Sequence, residues 1–245
     1  MPRDAAMKAI LLAAGQGSRL LPLTLERPKC LVPVGGRAIL DHQLDACAAA
    51  GVEQAVVIGG YRIAQIAAHL AARPAGALPV RLVFNPFWAV ASSIGSVWAT
   101  RDLLDEAFLL MNGDTLFDPD ALRFAVAMAG PSVSLLVDPL DGPPEADDML
   151  VAAQGNRVSA VAKTLDPARA THRSLGVVVA RRGSGYAAAL DTVIGADDGI
   201  HAFHHAIIDR LAGADGVTAL SLPPGLAWQE VDRPEDIARW PGVHA

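Results

Sequence analysis

The chain has 245 residues, 52% of them hydrophobic and 19% charged, and its 20 Lys and Arg against 26 Asp and Glu leave a formal charge of −6. That length fills one large domain or two small ones and needs no staple for its core. The acidic balance argues against nucleic acid as a partner, two cysteines are too few for a disulfide scaffold, and no apolar run reaches the ~18 residues of a membrane span.

The opening residues show no basic start followed by an apolar stretch, so no export signal is visible. The expectation is a soluble cytoplasmic protein, with residues 1–6 as a disordered extension. Lysine is rare, with only Lys8, Lys29 and Lys163 among the 20 basic residues. Where generic surface charge has drifted to Arg, a remaining Lys is there more often for its chemistry.

The apolar run Met7–Ala14 reads as a strand buried on both faces. Ile39–Ala50 has helical spacing and stops at Gly51. Gln54–Gly59 is a second buried strand, Arg62–Ala72 a helix and Val80–Phe84 a third strand. A helix over Gly95–Leu104 precedes the strand Ala107–Met111. Asp118 and Pro119 open a helix that runs through Met128, with Pro at its favoured first position, and Ser132–Val137 is the next strand. Strands alternating with helices predict a Rossmann-like, doubly wound and mostly parallel α/β sheet. After Asp138 the pattern changes. Met149–Ala153, Arg157–Ala162 and Leu175–Ala180 read as an antiparallel meander. Helices follow at Ser184–Val193 and His201–Leu211, strands at Val217–Leu220 and Ala227–Val231, and a short helix from Pro234. The expected organisation is one domain over 1–245, with about 139–213 elaborated as a smaller acceptor-side lobe.

The first strand runs into Gly15-Gln16-Gly17-Ser18-Arg19, a turn that leaves backbone N–H groups free at a strand end, where phosphates are commonly held. It is neither a dinucleotide fingerprint, since Leu20 stands where a third Gly belongs, nor a Walker loop. Arg19 and Lys29 place two cations in one long loop, and loops of that length inside a compact domain are usually functional. Asp114 follows the strand that ends in Met111, and Asp232 follows Ala227–Val231. Two carboxylates converging on a phosphate held at that glycine turn suit Mg²⁺, which takes few protein oxygens. The plain alternatives are a turn Asp at 114 and a helix cap at 232.

The stretch Leu11–Gly36 (LLAAGQGSRLLPLTLERPKCLVPVGG) resembles the signature of nucleotidyltransferases that join a nucleoside triphosphate to a phosphorylated small molecule, both sugar-1-phosphate nucleotidyltransferases and bacterial phosphocholine cytidylyltransferases. The likeness continues at Val57–Tyr61, Asn112-Gly113-Asp114 and Glu230–Asp236. It implies in-line attack of an acceptor phosphate on the α-phosphorus of an NTP, with release of pyrophosphate. It assigns Arg19, Lys29, Asp114 and Asp232 to catalysis, the two Asp holding Mg²⁺. Nucleotide contacts fall on Leu12, Ala13, Ala14, Gly15, Gly17, Ser18, Arg19 and Lys29, on Gly59 and Tyr61, and on Ser93 and Ser96. Lys163 would touch the acceptor phosphate.

Asn85-Pro86-Phe87-Trp88, followed by Ser92-Ser93, resembles the cytidylyl branch and favours CTP. Period two along the last strand puts Trp228, Glu230 and Asp232 on one face. Trp228 and Glu230 would then contact the acceptor, and an aromatic beside a carboxylate suits a cationic head group such as choline; packing of Trp228 in the core is the equal alternative. His201, His204 and His205 read as ordinary histidines of one helix face, and Cys30 as an inert buried thiol. The rival functions are a sugar-1-phosphate uridylyl-, thymidylyl- or guanylyltransferase and a non-catalytic nucleotide sensor. A homo-oligomer is compatible with each.

Overall fold

The computed structural model describes residues 7–214 and 216–240, and the expected extension at 1–6 lies outside them. The fold starts with β1 (Lys8–Ala13), which turns Ile10 into one hydrophobic cluster and Ala9 and Leu11 into another, as alternation requires of a strand covered on both faces. The short ribbon β2 (Pro33–Val34) and β3 (Arg37–Ala38) leads to α1 (Ile39–Ala49), β4 (Gln54–Gly59), α2 (Ile63–Ala71), β5 (Val80–Phe84) and α3 (Ser93–Trp98). Next come β6 (Phe108–Asn112), β7 (Thr115–Phe117), α4 (Pro119–Met128) and β8 (Val133–Pro139). The chain continues through β9 (Leu150–Gln154), β10 (Arg157–Ala162), β11 (His172–Ala180), α5 (Tyr186–Ile194), α6 (His205–Gly213), β12 (Val217–Ser221) and β13 (Trp228–Glu230). At α4 the expected start is met in detail: Asp118 accepts a hydrogen bond from the Asp120 N–H, and Pro119 is the first helical residue. No helix among the described residues is long and apolar enough to cross a membrane.

A nine-stranded sheet runs in the order β5-β4-β1-β6-β11-β8-β12-β10-β9. Its first four strands are parallel, and β8 and β12 form a second parallel pair. Between these two groups β11 lies antiparallel to both neighbours. The expected antiparallel grouping holds in part: β9 and β10 form a hairpin and the start of β11 pairs antiparallel with β9 at His172 and Arg173, but β11 begins earlier than expected and its remainder sits in the middle of the main sheet. Its run Val177–Ala180 is buried on both faces and fits either place, because the pattern of a strand does not choose its neighbours. The last strand is shorter than expected and pairs antiparallel with β7 in a ribbon outside the main sheet. The expected helix over His201–Leu211 starts only at His205, after a single 3₁₀ turn at Gly199–His201, so the three histidines do not share a helix face.

Because β4, β1 and β6 are parallel, their carboxyl ends meet at one edge, where Leu12 is level with both Ile58 and Asn112. The Gly113 N–H donates to the Leu12 carbonyl at 3.1 Å, which clamps the turn carrying Asp114 against the glycine loop. Across β6, the register of β11 shifts between Ser174 and Val178, and Gly176 takes φ +69° there. A Cβ at Gly176 would stand 2.4 Å from Asn112 Nδ2, so glycine makes room for the Asn112 side chain. Gly176→Ala is expected to lower the unfolding free energy by about 1–3 kcal/mol in urea titrations. Gly155→Ala isolates backbone strain, since Gly155 has φ +58° and open space around the added Cβ, and is expected to cost less.

Candidate active site

The loop after β1 is shaped around one side chain. Gly17 takes φ +75°, and a Cβ there would lie 2.8 Å from Lys29 Cβ and Cδ, so the aliphatic stem of Lys29 crosses the bare face of this glycine. The buried Thr24 hydroxyl donates to the Gly17 carbonyl at 2.8 Å and holds the turn. Lys29 Nζ then reaches Asp114 Oδ2 at 2.8 Å and Asp232 Oδ1 at 2.5 Å. Burial by itself would lower the Lys29 pKa; the two carboxylates outweigh it and hold the ammonium above its ordinary value. Arg19, in the 3₁₀ turn Ser18–Leu20, contacts Asp232 Oδ2 at 2.7 Å and Asp147 Oδ2 at 2.6 Å.

Both carboxylates are held from behind. The buried Gln43 of α1 donates from one Nε2 to the carbonyls of Asn112 (2.8 Å) and Thr115 (2.9 Å), stapling the turn that presents Asp114. Asp236 accepts from the backbone N–H groups of Asp232 (3.0 Å) and Arg233 (2.8 Å). The capping work is therefore done by Asp236, and the carboxylate of Asp232 is free to face Lys29. Neither side chain is the plain turn or cap residue that the sequence also allowed.

Glu230, expected in the acceptor wall, joins this cluster: its carboxylate and those of Asp114 and Asp232 each offer an oxygen, all within 4.8 Å of one another. Three hard oxygen donors fit a divalent cation such as Mg²⁺. The Glu230 carboxyl is pushed up to about 8, first by removal from bulk water and then by the charges of Asp114 and Asp232. Since Glu230 still opens onto the cleft, the neighbouring charges are the part of this cause that persists when water fills it.

The cleft encloses about 290 Å³, and its lining includes Leu12, Ala14, Gly15, Ser93, Ser96, Lys163, Trp228 and Glu230. The remaining expected contacts lie elsewhere. Ala13 packs into the core because it alternates with Leu12, and Gly59 is buried with Ile63, Ile66 and Leu82 around it. Gly17 and Ser18 carry the turn without lining the cavity. Tyr61 gives its hydroxyl to the Leu25 carbonyl at 2.7 Å and tilts its ring against Trp88. Even Ser93 and Ser96 spend their hydroxyls internally, on the His204 N–H and on Asn85 Nδ2.

Several residues of the wall escaped sequence reasoning. Gln43 gave no signal beyond a polar residue in a helix. His204 Nε2 donates to Asn112 Oδ1 at 3.0 Å, His205 Nε2 lies 2.9 Å from Ser174 Oγ, and the two ring centroids lie 4.0 Å apart with the planes tilted by 35°. Burial pushes His204 down to about 4 and His205 well below its ordinary value, so both are neutral. Arg173 lies 5.6 Å over the Trp228 ring, and Lys163 Nζ 5.1 Å over Phe203. Cys30 is buried and its thiol is pushed up to about 12, which leaves it inert.

The nine-stranded sheet, with a strand-end glycine turn facing carboxylates from the turns after β6 and β13, has the α/β fold of the nucleotide-diphospho-sugar transferase type that its structural neighbours share. The chain matches the MobA-like NTP transferase domain over residues 9–175 and belongs to that family. It is 31% identical over 241 residues to the CMP-5'-(3-aminopropyl)phosphonate synthase of Streptomyces rubellomurinus, a match that covers 96% of this chain and 38% of that protein. It is 51% identical over 77 residues to the N-acetylmuramate alpha-1-phosphate uridylyltransferase of Caulobacter vibrioides, covering 31% of this chain and 32% of that one. The chain thus spans about two fifths and one third of these relatives. In fold it is similar to the CTP:phosphocholine cytidylyltransferase of Streptococcus pneumoniae, with a TM-score of 0.76, 21% identity and coverage of 94% of this chain and 96% of that one.

The Glu230 shift has a measurable consequence. Between its ordinary 4.5 and about 8 the folded chain keeps a proton that the unfolded chain has lost. Its contribution to stability therefore falls as pH rises through that window, and the full penalty stands above it. Glu230→Gln is expected to raise Tm above pH 8 in chelator-treated buffer and to leave it unchanged below pH 4.5, as read by thermal unfolding.

Proposed function

We propose that this protein transfers a nucleoside monophosphate, CMP before others, from an NTP to the phosphate or phosphonate of a small acceptor, releasing pyrophosphate. The observation that carries this reading is the Lys29 ammonium set between Asp114 and Asp232 at the mouth of the glycine loop, with Arg19 beside it. An acceptor oxygen attacks the α-phosphorus in line, the new P–O bond forms, and the bond to the bridging oxygen of the β-phosphate breaks. A phosphate monoester has its second pKa near ~6 and is largely dianionic at neutral pH, so no general base is needed. What the protein supplies is positioning and charge neutralisation between two anions. Arg19, Lys29 and the N–H groups of the loop hold the triphosphate, with Leu12, Ala14 and Gly15 beneath the nucleoside. Asp114 and Asp232, with Glu230, would hold Mg²⁺, which supplies charge neutralisation at the reacting phosphates when bound. Lys163 takes the acceptor phosphate, and the segment 139–213 forms the acceptor side. A cytoplasmic location, where NTPs are held, goes with this reading.

Support for CTP comes from the Streptomyces relative, which matches across nearly the whole chain and is named for a CMP-linked phosphonate. We therefore rank aminoalkyl phosphonates and phosphates ahead of phosphocholine; that name supports the ranking, as does Arg173 lying over the Trp228 ring that a quaternary ammonium would use. The second reading, uridylyl transfer to a sugar 1-phosphate, is favoured by the higher identity of the shorter Caulobacter match.

The test is pyrophosphate release with Mg²⁺ from CTP, UTP, dTTP, GTP and ATP. Each is paired with 2-aminoethylphosphonate, phosphocholine, inositol phosphate and hexose 1-phosphates. Turnover with CTP and an aminoalkyl acceptor is expected; turnover only with UTP and a sugar 1-phosphate selects the second reading, and none with any pair removes both. Asp114→Asn is expected to lower kcat by about 10²–10³-fold, as loss of a group that stabilises transition-state charge does. Full activity in this variant would overturn the assignment.

A further inference from the structure

We propose that Asp147 occupies, in the ligand-free protein, the place of a phosphate-class dianion between Arg19 and Lys163, cations already read as phosphate-binding, and that Arg233 is a third cation facing the same place at the mouth of the cleft. The inference rests on the reading of the cleft as a nucleotidyl-transfer site and adds a device that keeps it closed.

Asp147 is approached by three cations from three distant parts of the chain. Its carboxylate lies 2.6 Å from Arg19 NH1, 3.9 Å from Lys163 Nζ and 4.0 Å from Arg233 NH2. Arg19 belongs to the loop after β1, Lys163 follows β10, and Arg233 follows Asp232. Three like charges gather around one point only where an anion compensates them. Here Asp147 and, on Arg19 alone, Asp232 supply two single carboxylates against three cations. A dianion with several oxygens compensates them better, and guanidinium groups match phosphate oxygens in bidentate fashion.

The loop that carries Asp147 is built to deliver one carboxylate and hold the other back. Asp148 accepts from the Glu145 N–H at 2.8 Å, returns its own N–H to the Glu145 carbonyl at 3.1 Å, and faces Arg173 at 3.7 Å. Its side chain is 14% exposed, whereas that of Asp147 is 50% exposed and, among the described residues, is held by the three cations named. Asp148 therefore anchors the turn, and Asp147 can leave without breaking it. Ion pairs this open to water hold weakly, so an incoming dianion can displace the carboxylate.

The same dianion chemistry belongs to the pyrophosphate portion of the NTP and to the acceptor head, and binding to the full chain separates them. Inorganic pyrophosphate and inorganic phosphate are titrated calorimetrically, without divalent metal, into the wild type, Asp147→Asn, Asp148→Asn, and Asp147→Asn combined with Arg233→Ala. Asp147→Asn is expected to tighten at least one probe by about tenfold, as when a closed form is about nine-tenths populated. Gain for pyrophosphate alone assigns the site to the leaving group, gain for phosphate alone to the acceptor, and either supports the proposal. The gain is expected to vanish with Arg233→Ala. Binding of both probes that is unchanged or weaker in Asp147→Asn, or an equal gain from Asp148→Asn, overturns it. In the wild type, pyrophosphate or phosphate is also expected to speed amide exchange across residues 141–148; unchanged exchange with both overturns the proposal independently of any variant. None of these readouts needs turnover, so failure of the NTP panel and failure of this proposal are separate results.

Discussion

One ammonium group organises the cleft. Lys29 Nζ is shared by Asp114 and Asp232, which come from the end of β6 and from the segment beyond β13, and the half-buried setting makes an unpaired member of this trio costly. Other features follow from keeping it in place. Gly17 is bare so that the stem of Lys29 can cross it, and Gln43 secures the turn that carries Asp114. Asp236 takes over the capping that would otherwise have claimed Asp232. A loop of ordinary solvated charges would need none of these supports.

The ligand-free site is neutralised from within. Lys29 and Arg19 hold carboxylates, and Asp147 gathers Arg19, Lys163 and Arg233. Under the proposed reaction each of these pairs exchanges partners: phosphates go to the cations, and a divalent ion goes to the carboxylates. Such an arrangement keeps charged side chains preorganised in the absence of substrate. Asp147 is the member of the set left without a new partner in that exchange, which is why its loop is the natural moving part.

The cleft wall around Trp228, Phe203 and the two histidines is polar more than aromatic. The Trp228 and Phe203 rings are each approached by a cation of the chain itself, and the adjacent His204 and His205 are held neutral by burial. The wall therefore offers neutral imidazoles and balanced ion pairs, a surface suited to a polar tail.

Much of the fold was legible because alternation and turn residues are local signals. Gln54–Gly59, Val80–Phe84 and Arg157–Ala162 were read to the residue, and so was the start of α4 from Asp118-Pro119. The place of β11 between β6 and β8 was not legible, because Val177–Ala180 carries no mark of its neighbours. In the cleft, Arg19, Lys29, Asp114 and Asp232 could be named from their order along the chain. Glu230 lines the cleft with Trp228 as expected, but its approach to Asp114 and Asp232 was not legible, since a period of two gives a face but not what the face meets.

What the sequence by itself determined is which charged groups are present, where the glycines permit a turn, and that strands alternate with helices; all of these are properties of short stretches of chain. Only the tertiary structure decided that Glu230 joins Asp114 and Asp232, that Gln43 stands behind them, and that Asp147 meets Arg19 from 128 positions away. Contacts at such separation are set by how sheets and loops pack as a whole, and no local pattern encodes them.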